Sequence, residues 1–334
     1  MKAMILTAGL GTRLRPLTLE RAKPSIPLLG KPLVIRLLDK LSDLGISEFR
    51  LNLHHLPASI ERLFVAQQND QHVSFSYEPT ILGTAGGLKA NESFFDDETF
   101  LMVNGDIVME FPLAEALAFH RDQKALATLI LFPQPEPAKY FPVRVDRNGR
   151  FLNFKGISEA GAACPETYVF TGVHILEPEI FRYIPSGQFF EINDQVYPQA
   201  MKDGEKVLGC PVEGYWNDVG DPGRYLQAQK DLLLINASEK CREHGSTSCL
   251  APGAEVAETA KFGPFVSIGT GSIVEPQATV ENSILWDDVH VNTGASVVNC
   301  IAGSGVILEG EVKNLIVTRY GKSPIIDTNN PEKP

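Results

Sequence analysis

The stretch Met4-Ile5-Leu6-Thr7-Ala8-Gly9-Leu10-Gly11-Thr12-Arg13-Leu14-Arg15-Pro16-Leu17-Thr18, followed by Arg21-Ala22-Lys23-Pro24, decides the fold of this chain. Its apolar beginning predicts a buried strand over residues 2–7, which ends at two glycines and a hydroxyl. Three cations then follow, at Arg13, Arg15 and Lys23. Glycines let backbone N–H groups approach an anion closely, and the cations neutralise its charge. The layout therefore suits a loop that binds the phosphates of a nucleoside triphosphate.

Two other kinds of glycine-rich loop do not fit these residues. A dinucleotide-binding turn needs a third glycine three residues after Gly11, where this chain has Leu14. A P-loop needs a glycine, four residues and then Gly-Lys-Ser/Thr, and the nearest match, Gly30-Lys31-Pro32, lacks the hydroxyl and the first glycine. Residues 1–36 hold seven Lys and Arg and a single acid, Glu20, in a chain of net charge −11, which indicates a focused anion site. The remaining alternative is an ordinary tight turn with solvated charges.

The composition narrows the class of protein. A length of 334 residues predicts one large domain or two, and 43% hydrophobic residues allow a sizeable core. The acidic net charge argues against a nucleic-acid partner, and no apolar run is long enough to predict a membrane span or a signal peptide. Five scattered cysteines predict a reduced, cytoplasmic location. Cys241 and Cys249 flank His244, and a flexible linker is favoured there over a zinc site.

Strand and helix patterns alternate along the first part of the chain. Strands are predicted at 49–54, 73–77, 99–103 and 127–132, and helices at 33–44 with Pro32 in the first turn, 59–68, 113–121 and 222–234. Such alternation predicts a mostly parallel sheet covered by helices on both faces, with ligands beyond the carboxyl ends of the strands. Residues 141–174 are rich in strand patterns, which predicts a mixed or antiparallel extension.

A different repeat follows. Five apolar residues stand six positions apart, at Val256, Phe262, Ile268, Val274 and Val280, and a second frame contains Leu285, Val291 and Val297. This period is the hexapeptide signature of a parallel β-helix, here of roughly three coils. The predicted domains are a catalytic domain over 1–235, a linker over 236–250, a β-helix over 251–316 and a tail over 317–334.

The opening stretch is similar to the signature of the sugar-1-phosphate nucleotidyltransferases, the pyrophosphorylases that make nucleoside-diphosphate sugars. Three further segments match that family: Glu78-Pro79-Thr80-Ile81-Leu82-Gly83-Thr84-Ala85-Gly86-Gly87, Val103-Asn104-Gly105-Asp106 and Gly214-Tyr215-Trp216-Asn217-Asp218-Val219-Gly220. The resemblance implies an α/β fold, a Rossmann-like mostly parallel sheet sandwiched by helices, plus a short C-terminal left-handed parallel β-helix. It also implies attack of a sugar-1-phosphate oxygen on the α-phosphorus of a nucleoside triphosphate, with release of pyrophosphate.

The resemblance assigns roles to individual residues. Arg13 and Lys23 would act on the phosphates as catalytic cations, and Asp106 and Asp218 would bind Mg²⁺. The alternatives are a turn or N-cap role for Asp106 and a loop carboxylate role for Asp218. Residues expected to bind the nucleotide are Leu6, Ala8, Gly9, Leu10, Gly11, Thr12, Gly83, Thr84, Ala85, Gly86, Asn104 and Gly105. Residues 83–86 would read the base edge, and Thr84 could also cap a helix. The Glu-Pro and Leu-Gly-Thr-Ala-Gly pair resembles the guanylyltransferases that make GDP-mannose; thymidylyl- and uridylyltransferases share most of it.

The sugar end departs from the family pattern. Many members carry Phe-x-Glu-Lys-Pro, whereas this chain has Phe151-Leu152-Asn153-Phe154-Lys155-Gly156. Lys155 is the candidate for the sugar phosphate, with a solvated strand lysine as the alternative. Thr171 and Gly172 follow Phe170, which replaces the family's Asn. Glu191 is expected to bond sugar hydroxyls or to cap a helix. His54 and His55 are interpreted as structural, and Trp216 as a packing residue.

Two other functions remain as alternatives to the enzyme. A hexapeptide acyltransferase would need a histidine between coils, and the repeat region contains only His290. A catalytically weak regulatory or scaffold homologue would be expected to have lost Arg13, Lys23, Asp106 or Asp218, and all four are present. The stackable faces of a β-helix predict a homo-oligomer, whereas no nucleic acid or membrane partner is expected.

Overall fold

The fold is described from a computed structural model of the chain, which covers residues 1–65, 71–133, 140–155, 157–158, 166–235 and 247–325. By its internal contacts the chain divides into two compact units. Unit 1 contains Met1–Gly9 and Arg36–Asp218, and unit 2 contains Leu10–Ile35 and Val219–Pro334. The glycine-rich loop thus begins in unit 1 and continues, with its cations, in unit 2. The predicted domain boundaries at 235 and 250 stay a prediction, and Cys241 and His244 lie outside the described residues.

The elements of the first part of the chain follow the predicted alternation. The helices are α1 (Leu33–Ser42), α2 (Pro57–Glu61), α3 (Gly83–Ala90), α4 (Leu113–Gln123), α5 (Tyr197–Lys202) and α6 (Pro222–Ile235). The strands are β1 (Ala3–Leu6), β2 (Pro27–Leu28), β3 (Lys31–Pro32), β4 (Glu48–Leu53), β5 (His72–Tyr77), β6 (Phe100–Asn104), β7 (Ile107–Glu110), β8 (Ala127–Pro133), β9 (Arg144–Val145), β10 (Phe151–Phe154), β11 (Ile157–Ser158), β12 (Tyr168–Leu176), β13 (Val207–Pro211) and β14 (Tyr215–Asp218). Short 3₁₀ turns cover Thr12–Leu14, Leu17–Leu19, Lys23–Ser25, Glu92–Phe94 and Pro178–Tyr183, and a π-helical turn covers Ile192–Val196.

The second part is a run of very short strands. These are β15 (Ser248–Leu250), β16 (Glu255–Val256), β17 (Lys261–Phe262), β18 (Val266–Ile268), β19 (Ile273–Val274), β20 (Thr279–Glu281), β21 (Ile284–Leu285), β22 (His290–Val291), β23 (Ser296–Val298), β24 (Ile301–Ala302), β25 (Ile307–Leu308), β26 (Glu311–Lys313), β27 (Leu315–Thr318) and β28 (Gly321–Pro324). No helix within the described ranges is both long and apolar enough to cross a membrane.

A seven-stranded sheet forms the centre of unit 1, in the order β13-β8-β12-β6-β1-β4-β5. All neighbours are parallel except β12, which runs antiparallel to both β6 and β8, so the predicted mostly parallel sheet is confirmed. Leu6, at the end of the central strand β1, pairs with Asn52 of β4 on one side and with Asn104 of β6 on the other. Buried apolar residues such as Met4 and Met102 pack beneath these ends.

Two predicted helix boundaries differ from the structure. Pro32 does not lie in a helix but pairs with Pro27 in a two-stranded hairpin, and α1 begins at Leu33, whose N–H donates to the carbonyl of Ile26 at 3.0 Å. The helix predicted from residue 59 begins at Pro57, a residue whose fixed φ favours the first turn. Its α-helical part ends at Glu61, and residues 66–68 of the prediction lie outside the described ranges.

The hexad repeat forms the predicted parallel β-helix in unit 2. Its strands stack in three sheets of four or more parallel strands, which is more than the three coils expected. Along one sheet, paired residues lie 18, 17, 17 and 15 positions apart, from Leu250 through Ile268, Leu285 and Ala302 to Val317. The six-residue spacing therefore holds only in the first coil. The later coils are shorter than 18 residues, so the spacing alone predicts too few coils. Strand β28 adds an antiparallel edge to this sheet.

Candidate functional site

A buried polar chain connects the end of β1 to the start of α3 within unit 1. The Thr7 N–H donates to Asn52 Oδ1 at 2.8 Å, and Asn52 Nδ2 donates to Glu78 Oε1 at 2.7 Å. The second oxygen of Glu78 accepts the N–H of Leu82 at 3.0 Å. Asn52 and Glu78 are 3% and 5% exposed, so these bonds replace water that both groups would otherwise need. The chain fixes the loop that precedes Gly83.

The predicted base-reading segment forms the first turn of α3. Gly83 has φ +74, and a Cβ there would lie 2.7 Å from the carbonyl oxygen of Phe190, so glycine is required. Glu191 Oε2 accepts the hydroxyl of Thr84 at 2.6 Å, and that hydroxyl accepts the N–H of Ile192 at 2.9 Å. The N–H groups of Ala85 and Gly86 donate to the carbonyl of Phe190 at 2.9 and 3.1 Å. Three of the four residues expected to read a base, Thr84, Ala85 and Gly86, thus have their N–H groups bonded to residues 190–191.

Glu191 binds the first turn of α3, whereas it makes no side-chain capping bond to the π-helical turn that it precedes; its expected bonding to sugar hydroxyls stays a prediction. Its carboxylate lies at the N-terminus of α3, where negative charge is favoured by the unpaired N–H groups and the helix dipole. Glu191 lies in the segment just before α5, more than a hundred positions after Thr84, so this cap joins two distant parts of the chain.

The ends of β6 and β12 come together beside β1. The Gly105 N–H donates to the carbonyl of Leu6 at 3.0 Å, and a Cβ on Gly105 would lie 2.8 Å from that oxygen. Gly172 has φ +86, and a Cβ there would lie 2.5 Å from Asn104 Nδ2. The β8–β12 register shifts between Phe170 and His174, which is the bulge that glycine at a positive φ allows. Asn104 therefore packs directly on the backbone of residue 172.

Thr171 is held inside the sheet rather than displayed at a surface. It is 1% exposed, and its hydroxyl donates to the carbonyl of Ile130 at 2.9 Å. Its own carbonyl accepts the indole N–H of Trp216 at 2.9 Å. Trp216 also lies edge-on to Tyr140, with ring centroids 5.5 Å apart, so its ring packs against a neighbouring aromatic side chain.

The two predicted metal-binding aspartates lie at the same end of a pair of strands. Strand β7 pairs antiparallel with β14, and the register sets Asp218 opposite Ile107, the residue that follows Asp106. Both aspartates are half-buried, and the Tyr140 hydroxyl donates to Asp218 Oδ1 at 2.6 Å. Sequence reasoning missed Tyr140, which no motif marks. Within the described ranges, no group of three or more His, Cys, Asp or Glu side chains is arranged to hold a metal.

Lys155 follows β10 at a positive φ of 36°. Its ammonium lies 2.8 Å from Asp194 Oδ1 and 5.5 Å from the ring centroid of Phe141. The pair is partly exposed, with side-chain exposures of 33% and 53%, so it is a weak bond that an anion can replace. Asp194 lies on the π-helical turn that Glu191 precedes.

In unit 2 the rest of the glycine-rich loop winds into three 3₁₀ turns. Gly11 has φ +60, and its carbonyl accepts the N–H of Leu14 at 3.0 Å and the hydroxyl of Thr18 at 2.9 Å. A Cβ at Gly11 would lie 2.8 Å from Thr18 Cγ2 and 3.2 Å from Lys23 Cβ. Arg13 is exposed, whereas Lys23 is 8% exposed. Arg15 is exposed as well, so the loop is a tightly wound structure with two open cations and one enclosed one.

Comparison with known proteins identifies the family. The family model described as "Nucleotidyl transferase" matches residues 2–234, and the model described as "GMPPB C-terminal domain" matches residues 246–317. The chain belongs to the nucleotidyl transferase family.

Curated relatives are similar over much of the chain. A UTP–glucose-1-phosphate uridylyltransferase from Synechocystis sp. is 36% identical over 70% of this chain, which spans 63% of that protein's length. A mannose-1-phosphate guanylyltransferase from Mycobacterium tuberculosis is 29% identical over 87% of this chain and 81% of that protein. A probable mannose-1-phosphate guanylyltransferase 2 from Oryza sativa is 30% identical, with 91% and 86% covered.

Solved structures share the fold of much of the chain. HddC from Yersinia pseudotuberculosis has a TM-score of 0.58 at 23% identity, over 68% of this chain and 97% of that one. HddC complexed with GMP-PN has a TM-score of 0.59 at 24% identity, over 69% and 99%. The similarity covers about two thirds of the chain and concerns the fold.

Proposed function

We propose that this protein is a guanylyltransferase that joins GTP and mannose-1-phosphate, or a closely related sugar-1-phosphate, and releases pyrophosphate. The observation that carries this proposal is the combination of the two matched regions, a nucleotidyl transferase part followed by a GMPPB C-terminal part. The relatives named mannose-1-phosphate guanylyltransferase align over 87% and 91% of this chain, and thus over residues of both parts.

A second candidate is transfer of a uridylyl or thymidylyl group to glucose-1-phosphate or an amino-sugar phosphate. The observation in its favour is the 36% identity to the uridylyltransferase, which exceeds the identity to the guanylyltransferases quoted above. That alignment spans 247 residues, or 70% of this chain, and so leaves nearly a third of the chain without support from this relative. The preference for one nucleobase in the nucleoside triphosphate is therefore the first property to measure.

The mechanism assigns most of the catalysis to positioning and charge, because phosphoryl-type transfer needs no covalent nucleophile. The backbone of residues 9–12 would hold the triphosphate. Arg13 would neutralise charge at the phosphates from its exposed position, whereas the enclosed Lys23 would contact the group being transferred. Because the Lys23 residue is only 8% exposed, water would screen its charge less than that of an exposed lysine.

Asp106 and Asp218 fit a magnesium ion. Their carboxylates are hard oxygen donors, and the β7–β14 register brings the two residues together. A pair of carboxylates is an incomplete set of ligands, and Mg²⁺ commonly completes its octahedron with substrate phosphates and water. When bound, Mg²⁺ would supply charge neutralisation on the phosphate oxygens. The hydroxyl of Tyr140, which bonds Asp218, would orient that carboxylate.

At the sugar end, Lys155 would exchange the carboxylate of Asp194 for the sugar phosphate. The exchange is favourable because a phosphate carries more negative charge than a carboxylate and the existing pair is partly exposed. Thr171, Gly172 and Glu191 would act by fixing the backbone around this end, since the two polar side chains are bonded to other protein groups. Asn104 packs on Gly172 and would connect the two ends of the site.

The test is pyrophosphate release from each of GTP, UTP and dTTP, combined with the 1-phosphates of mannose, glucose and an amino sugar in the presence of Mg²⁺. We expect the highest kcat/KM with GTP and mannose-1-phosphate. A preference for UTP or dTTP would select the second candidate, and no release with any pair would remove the enzymatic proposal. We also propose a homo-oligomer that associates through the β-helix; a monomeric mass by light scattering would contradict it.

A further inference from the structure

A single tryptophan of the β-helix breaks the pattern of its own repeat. The residues that follow the paired strand positions in successive coils are Ala251, Gly269, Trp286, Gly303 and Thr318. Four of these residues are small, whereas Trp286 is the largest fully buried side chain in the described part of the chain. A Cβ on Gly269 would lie 2.6 Å from the backbone of Trp286, so the preceding coil leaves room for it. A tryptophan at a position otherwise kept small calls for a reason beyond filling the coil.

Trp286 contacts the loop that carries the phosphate-binding cations, and both belong to unit 2. The guanidinium carbon of Arg21 lies 4.6 Å from the centroid of the indole ring, an arrangement favoured by cation–π attraction. Arg21 Nη2 also donates to Ser304 Oγ at 2.7 Å and lies 3.5 Å from Asp287 Oδ2. The neighbouring Glu20 accepts the N–H of Ser304 at 3.0 Å. Arg21 is thus fixed on three sides by the β-helix, two residues before Lys23.

The segment that follows Lys23 is bound through the same indole. The indole N–H of Trp286 donates to the hydroxyl of Tyr225 at 3.0 Å, and the Tyr225 hydroxyl donates to the carbonyl of Pro27. Tyr225 is fully buried, and burial raises the pKa of its hydroxyl, so the hydroxyl keeps the proton that it donates. Contacts therefore run from Arg21 through Trp286 and Tyr225 to Pro27, and the chain from 21 to 27 closes the ring. Lys23 belongs to the segment that closes this ring.

We propose that Trp286 is a positioning residue for catalysis: it fixes both ends of the segment from Arg21 to Pro27 and thereby places Lys23 against the triphosphate. The proposal rests on the proposed function in one respect, the action of Lys23 on the phosphates. It gives the β-helix a part in the reaction, because Trp286, Asp287 and Ser304 all belong to its coils. An ammonium misplaced by about 1 Å can lower a rate on the order of 10²-fold.

The test compares Trp286→Leu, Trp286→Phe and Arg21→Gln with the wild type and with Leu308→Ala. Leu308 is a buried β-helix residue that provides a matched control for a weakened coil. We expect kcat to fall on the order of 10- to 100-fold in Trp286→Leu and Arg21→Gln. Trp286→Phe keeps a ring face for Arg21 and should fall less, while the KM for the sugar-1-phosphate stays within about 3-fold and Leu308→Ala keeps its kcat. Unchanged kcat in both Trp286→Leu and Arg21→Gln would overturn the proposal, and if Trp286→Leu fails to fold, Arg21→Gln decides.

Two further readouts separate positioning from general destabilisation. In a Lys23→Ala background, Trp286→Leu should change kcat by less than about 3-fold, since the two residues act as one unit; an equal loss in both backgrounds would contradict the proposal. Hydrogen exchange of the Ser25 and Ile26 amides, which are bonded to Ala22 and Lys23 at 2.9 and 3.1 Å, should become faster in Trp286→Leu and not in Leu308→Ala. Exchange does not depend on turnover, so an inactive wild type with this exchange pattern would refute the proposed function alone, whereas unchanged exchange would refute the positioning by Trp286.

Discussion

The buried chain Thr7–Asn52–Glu78–Leu82 makes a sharp prediction, because its donors and acceptors alternate without a spare group. Glu78 receives two N–H donors from opposite sides, Asn52 Nδ2 at 2.7 Å and Leu82 N at 3.0 Å. Glu78→Gln replaces one acceptor by an NH₂ group that must face one of these donors. If Asn52 rotates to avoid this, its own NH₂ faces the N–H of Thr7, which now donates at 2.8 Å.

One buried donor is therefore left unpaired in Glu78→Gln whichever way the amides turn. Such a group costs about 1–3 kcal/mol, and both Asn52 and Glu78 are at most 5% exposed, so water offers little relief. For a unit of this size, that loss corresponds to a decrease in Tm of roughly 2–12 °C. The measurement is thermal unfolding of the full chain, with Glu115→Gln, a change of the same charge at an exposed position of α4, as the control.

The decisive variant is the exchange Asn52→Asp with Glu78→Gln. The new carboxylate at position 52 would accept the Thr7 N–H with one oxygen and the new amide NH₂ at position 78 with the other. The remaining amide oxygen at position 78 would accept the Leu82 N–H. The exchange restores every bond, so its Tm should exceed that of either single variant. If Glu78→Gln unfolds with the wild type, or the double variant is no better than the weaker single one, the assigned bond directions are refuted.

Three further predictions concern the site and its support. Asp106→Asn should lower kcat on the order of 100-fold or more at saturating Mg²⁺, since a carboxylate ligand is worth several kcal/mol, and full activity would remove Asp106 from the metal site. Gly172→Ala should cost about 1–3 kcal/mol in the free energy of urea unfolding, because its φ is +86 and its Cβ would meet Asn104; wild-type stability would show that the bulge relaxes. Burial lowers the pKa of His174 to about 3, so from about pH 6.5 downward the unfolded chain binds a proton that the native chain does not. Stability should fall by about 2 kcal/mol between pH 7 and pH 5, and His174→Gln should lose that part of the pH dependence in urea unfolding.

The sequence predicts best where a short-range pattern reports a repeating geometry. The apolar run before Gly9 and the later alternation predict the parallel sheet, and the six-residue period predicts the β-helix, because each depends on neighbouring residues alone. The carboxyl ends of parallel strands share one edge, so polar residues there belong together. Asn52 and Glu78 end or follow β4 and β5, and this signal was present in the sequence but was not used.

Contacts over long separations were not predictable in the same way. Nothing near Glu191 or Thr84 indicates that one caps the helix of the other, because the partner segment reaches α3 only through the folded unit. Trp286 is an intermediate case: aligning the coils by register shows a tryptophan among small residues, but the varying coil lengths of 18, 17 and 15 residues conceal the alignment in the sequence.

The first turn of α3 constrains how a base can be recognised. Its donors at Thr84, Ala85 and Gly86 are bonded to residues 190–191. The glycines at 83 and 86 let residues 188–190 approach, since a Cβ at either position would lie under 3 Å from a carbonyl oxygen of that segment. A base edge that needs these same N–H groups must displace residues 190–191, which costs the cap of the helix. Recognition through other groups leaves the cap in place. Glu191→Gln weakens the cap and therefore separates these two modes of recognition. It should tighten nucleotide binding if the base bonds the N–H groups of residues 84–86, and it should leave nucleotide binding unchanged if the base bonds other groups.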